Sequence, residues 1–152
     1  MASAGRGRGF AAETCVVAVA WNSRLEGTTV NMKGEEETRG LKLAANESVF
    51  RIANERMQRA AASYHFAPDQ GVPFLCECAE PGCREIVMLS PEDYERVRAQ
   101  PCWFLLVAGH EDPEAAHDER IVEAEHGYAI VEKIGAAGAE AARLDPRAGH
   151  AG

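Results

Sequence analysis

From residue 46 onward the apolar positions fall into a readable succession of periods. In "NESVFRIANERMQRAAASY", Val49, Ile52, Ala53, Met57, Ala60, Ala61 and Tyr64 recur at helical spacing, with Asn46 as the N-cap. That pattern buries the apolar stripe. The opposite side carries Glu47, Arg51 and Glu55 at i, i+4 and i+8, and reads as a solvated face with weak ion pairs. Together with Asn54 it is the candidate face for a protein partner. "HFAPDQG" (65–71) is a loop by composition. "VPFLCEC" and "REIVML" read as strands joined through the turn residues "AEPG", which makes a hairpin.

The next segment, "SPEDYERVRAQP", is punctuated as a short helix. Ser90 caps it, Pro91 takes the first turn, Glu92 and Asp93 complement the dipole, and Pro101 ends it. Tyr94, Val97 and the stem of Arg98 then face the sheet. "CWFLLVAG" reads as a buried strand ending at Gly109–His110, and "EDPEAAHDE" as an acidic loop. "RIVEAEHGYAIVEK" alternates on both sides of His126–Gly127, as a closing hairpin does. The Ala/Gly-rich end reads as a frayed helix followed by tail.

These elements predict an α+β fold: a small antiparallel sheet with an N-terminal helix and a short helix, stapled by a zinc knuckle. Residues 45–135 form a single zinc-binding domain in this reading. Residues 32–44 are an acidic linker and 136–152 a tail. Residues 1–31 lack a clear period and read as a disordered or mis-assigned leader, with Met32 as a candidate start. A signal peptide is disfavoured because Glu13 interrupts the apolar region and the charged "MKGEEETRG" follows. Two arginine-glycine repeats in "GRGRG" are too few for an RNA-binding arm. The longest apolar runs, "CVVAVAW" and "CWFLLVA", are too short to span a bilayer.

Composition narrows the choice of partners. The 152 residues are 46% apolar, enough for a modest core. Arg6, Arg8 and Arg24 outnumber Glu13 and Glu26 by one in residues 1–31, so the remainder carries −9 of the net −8. A surface that acidic repels phosphate backbones and disfavours nucleic acid. A protein partner fits better; nothing sets the oligomeric state.

Three of the five cysteines, Cys76, Cys78 and Cys83, crowd one turn. That is too tight for a disulfide framework and suits a reducing, cytoplasmic compartment where thiols persist as ligands. Cys76 and Cys78 lie two apart in a strand, so they face the same way. Pro81 and Gly82 can turn the chain so that Cys83 returns to the same point. Zn2+ wants four such ligands in a tetrahedron. His110, which ends a strand after a glycine, is the chosen fourth ligand. Cys102 is its rival, and water remains open.

The stretch "CECAEPGCREIVML" resembles the post-SET zinc motif of histone lysine methyltransferases, in which three cysteines so spaced bind zinc with a remote fourth cysteine. The resemblance implies that Cys76, Cys78 and Cys83 are ligands with one distant partner. No SET-domain signature precedes it, so methyltransferase activity does not carry over. The succession "NESVFRIANER", "PFLCECAEPGC", "SPEDYERVR", "GHE" and "GYAIVEK" also resembles a family of small uncharacterised actinobacterial proteins. That likeness implies one compact bacterial domain over residues 45–135 and a start near Met32. It also favours His110 over Cys102, because typical members have a polar residue at that position.

A catalytic constellation is not evident. His110–Glu111 invites a hydrolase with Glu111 as base on a zinc-bound water. A closed four-ligand site leaves no room for that water. The His-Glu-x-x-His and deaminase spacings are both missing. His117 and His126 read as loop and turn residues. The leading reading is a non-catalytic, zinc-stabilised binding or regulatory module acting through protein contacts. The alternatives are a zinc enzyme using Glu111, or a thiol redox or zinc sensor in which oxidation ejects the metal.

Overall fold

The segment 29–63 contains no proline and is rich in Ala, Glu and Arg, so little interrupts a helix once it starts. In the structure, a computed structural model that describes residues 29–64 and 71–149, it forms one helix, α1 (Thr29–Ser63). The first 28 residues, with most of the expected leader, and most of the loop 65–71 lie outside the described residues. Asn46 is therefore a mid-helix residue and not a cap, and 32–44 is helix and not linker.

The chain then forms β1 (Val72–Leu75), β2 (Ile86–Leu89), α2 (Pro91–Arg98), β3 (Trp103–Val107), a 3-10 turn (Pro113–Ala115), β4 (Glu119–Glu125), β5 (Tyr128–Lys133) and α3 (Gly135–Arg143). The architecture is α+β, but with two small antiparallel sheets instead of one. β1 pairs β2 from Val72↔Leu89 to Leu75↔Ile86. The second sheet runs β3-β5-β4, with β5 in the middle and a bulge in β4 between Ile121 and Glu123. Strands of four to seven residues leave many main-chain groups at their ends without a ladder partner, and side chains take those places.

Local signals in α2 and the closing hairpin are realised as expected. The Ser90 hydroxyl accepts from the Asp93 N–H at 3.0 Å and donates to the Asp93 carboxylate at 2.7 Å, with Pro91 in the first turn. Tyr94, Val97 and Arg98 are buried. Gly127 adopts φ +104° in the β4–β5 turn. The core joins Val72, Phe74, Val87, Leu89, Tyr94, Val97, Leu105 and Ile130, with the Phe74 and Tyr94 rings stacked at 4.0 Å. A second cluster sets Cys76 and Cys78 against Phe104, Leu106, Val131 and Ala141.

The orientation of α1 overturns the sequence reading. Glu47, Ser48, Arg51, Asn54 and Glu55 are buried, whereas Val49, Ile52 and Tyr64 are exposed. Each inward polar group has a specific target. Arg51 donates to the carbonyls of Pro101 and Trp103 and lies over the Phe104 ring. Asn54 bonds both main-chain groups of Leu75, at 2.8 and 2.9 Å. Glu55 pairs with Arg98 at 2.7 Å and Arg147 at 2.8 Å. Glu47 pairs with Lys133 at 2.8 Å. The face expected to meet a partner is interior, since long polar side chains reach strand ends that apolar ones would leave unpaired. The Ala/Gly-rich end contributes too: α3 packs Ala137 and Ala141 inward, and Arg147 reaches back to Glu55 and Glu95.

Candidate metal centre

Beyond β1 the chain stays extended. The Cys76 N–H donates to the Glu85 carbonyl at 2.9 Å, which carries the hairpin one step further. Alternation then sends Cys76 and Cys78 one way and Glu77 the other. The turn that follows is closed by the Cys83 N–H on the Glu80 carbonyl at 3.0 Å, and the Glu80 carboxylate accepts the Gly82 N–H at 3.3 Å. This brings Cys83 back beside the first two cysteines. On the neighbouring sheet, β3 ends at Val107, and the His110 N–H turns back onto the Val107 carbonyl at 3.0 Å. That turn needs Gly109, whose φ of +89° a residue with a Cβ adopts only with strain.

The outcome is a Cys3His cluster. His110 Nδ1 lies 3.7 Å from Cys76 Sγ, 3.8 Å from Cys78 Sγ and 3.5 Å from Cys83 Sγ. All four donor atoms fall within 4.8 Å of one another. A zinc tetrahedron with bonds of about 2.3 Å to sulfur and about 2.0 Å to nitrogen has edges of about 3.5–3.8 Å. Every histidine–sulfur distance falls in that range. Three thiols and one imidazole also form a donor set that zinc prefers.

Main-chain N–H groups are aimed at the sulfurs. That of Val107 donates to Cys76 Sγ at 3.2 Å, that of Cys78 also reaches Cys76, and that of Glu80 reaches Cys78. Burial pushes the Cys76 and Cys78 thiols above their ordinary range, and these N–H groups oppose it. A divalent cation at the centre would act in the same direction as the N–H groups. Burial, and not the neighbouring charge of Glu77, is the leading cause of the upward shift.

The other expected residues are placed apart. Cys102 is buried at the start of β3, with its sulfur 3.7 Å from the Gly138 carbonyl, and does not belong to the cluster. Glu111 accepts the Gly109 N–H at 2.9 Å, which engages its carboxylate in the turn. His126 and His117 are exposed.

Sequence reasoning missed Glu77. Its carboxylate is fully buried and accepts from Asn54 Nδ2 at 2.8 Å and the Tyr94 hydroxyl at 2.9 Å on one oxygen. The other oxygen accepts from the Leu105 N–H at 3.1 Å, with Arg51 Nε 3.9 Å away. The signal was legible: a residue between two inward ligands of a strand must face the opposite layer, and a glutamate there demands donors.

Among the described residues, no helix is long and apolar enough to cross a membrane. Comparison with family models, curated proteins and solved structures found no match to this chain.

Proposed function

We propose that Cys76, Cys78, Cys83 and His110 hold one Zn2+ in a closed, structural site, and that the chain is a non-catalytic, zinc-stabilised binding or regulatory module. The observation that carries the reading is the set of histidine–sulfur distances, 3.5–3.8 Å, which match the edges of a zinc tetrahedron. Bound there, zinc would supply a cross-link between the hairpin turn and the end of β3. Four protein ligands fill its coordination and leave no position for a reacting water.

The module reading rests on surface chemistry. Val49 and Ile52 on α1, Ile86 and Met88 on β2, and Ile121 and Val122 on β4 face outward, a supply of apolar area suited to protein contacts. Thiols kept as ligands belong in a reducing compartment, which fits the cytoplasm.

Native mass spectrometry with metal analysis tests the site on protein purified under reducing conditions. One zinc per chain is expected in the wild type, with zinc lost or bound far more weakly in Cys83→Ser and His110→Ala. A wild-type chain that carries no stoichiometric metal and takes up none on titration overturns the reading.

A further inference from the structure

The metal ligands come from two separate pieces of chain, and something must set their relative register. Cys76 and Cys78 lie on the extension of β1, and His110 follows β3 by three residues. Where these pieces run side by side, the main-chain bonds are few. The Glu77 N–H donates to the Leu105 carbonyl at 2.7 Å, and the Val107 N–H donates to Cys76 Sγ at 3.2 Å. A third link, again to a side chain, runs from the Leu105 N–H to the Glu77 carboxylate at 3.1 Å. Leu105 is thus bound on both its main-chain groups by one residue, which lies between two of the ligands.

We infer that Glu77 is the positioning residue of this metal centre, setting the register between the cysteine-bearing segment and β3 so that His110 arrives at the three sulfurs. The inference rests on the zinc reading above. From Leu105 the path to His110 is short and stiff: two strand residues to Val107, then a turn closed by the His110 N–H on the Val107 carbonyl. A slip of one residue along β3 would move every following side chain by about 3.3 Å and reverse its face. His110 would then leave the cluster.

The carboxylate is itself held by elements beyond the two sheets. Asn54 of α1 and Tyr94 of α2 bind its other oxygen, and the same Asn54 bonds Leu75, the last residue before Cys76. The register is therefore anchored to both helices. Its two oxygens address different layers at once, which an apolar residue or a shorter Asp at this position would not do.

Cobalt substitution on the full chain tests the inference. Tetrahedral Co2+ reports its ligand set through visible absorption, and competition with a chelator gives the affinity for zinc. Glu77→Ala is expected to lower zinc affinity by about 10–100-fold, the usual effect of removing an outer-shell partner, and to shift the cobalt spectrum toward that of His110→Ala. Glu55→Ala, which removes another buried glutamate of the interior network, is the control: it lowers the melting temperature and leaves spectrum and affinity unchanged. Should Glu77→Ala fail to fold, Glu77→Gln carries the test. Its amide must turn an N–H toward one of the existing donors, and a loss in the same direction is expected. Wild-type spectrum and affinity in the folded Glu77 variant, with only a lower melting temperature, overturns the inference. A wild-type chain that binds neither ion overturns the zinc reading, and this inference with it.

Discussion

Glu47 and Glu77 are both interior glutamates, yet their surroundings differ in a way that can be measured. Glu77 has donors on both oxygens, whereas Glu47 Oε2 has no partner among the described residues and Oε1 shares Lys133 with Glu119. Burial pushes the Glu47 carboxyl up to about 7; Lys133 opposes the shift and Glu119 adds to it. A folded-state value above the ordinary one means that the folded chain binds the proton more tightly. The associated stability is complete below about 4.5, declines through the window between about 4.5 and 7, and is lost above it. Glu47→Gln resembles the protonated acid. Relative to wild type it should be near neutral at pH 4.5 and gain about 3 kcal/mol by pH 8. Urea unfolding of both proteins at each pH measures that difference, and the subtraction cancels protonation of the zinc ligands. A pH-independent difference would place the Glu47 charge outside the energetics.

Among the elements, α1 shows how an apolar period can mislead. Val49 is 64% exposed and Ile52 is also exposed, while Arg51 and Asn54, each two positions further on and so on the opposite side of the helix, are fully buried. Val49→Lys should therefore change stability by less than about 0.5 kcal/mol. Asn54→Ala should cost about 3 kcal/mol, because it strips partners from the Leu75 N–H, the Leu75 carbonyl and Glu77 at once. Urea denaturation of the two variants checks the ranking, and a larger loss in Val49→Lys would contradict the inward polar face. The short helix α2 and both hairpins were legible because their signals are local. Ser90 and Pro91 act within one turn, and Gly127 within two residues. The inner face of α1 was not legible, since its partners lie 21 to 92 positions away and no window of sequence contains them.

Taken as a whole, the molecule has two small sheets with few direct bonds between them, and the proposed zinc would tie one to the other. Cys83 and His110 stand 27 positions apart. A cross-link over that distance removes about 3.5 kcal/mol of unfolded-state chain entropy on the usual loop-closure scale. Chelation under reducing conditions should lower the melting temperature by about 10 °C, and returning one equivalent of Zn2+ should restore it. Differential scanning calorimetry before and after chelation measures the shift. An unchanged transition would mean that the interior ion-pair network holds the sheets without the metal.

The residues by themselves determined the local grammar of this protein: the α+β succession, the capped helix α2, and the hairpin turn that gathers Cys76, Cys78 and Cys83. Those features follow from spacing and turn chemistry, which act over a few residues. Only the tertiary structure decided that the chain forms two sheets, that α1 turns its charges inward, and that Glu77 links the cysteine segment to β3. The physical reason is the same in each case. A buried polar group is stable only when its partners are in place, and those partners come from distant parts of the chain that meet only on folding.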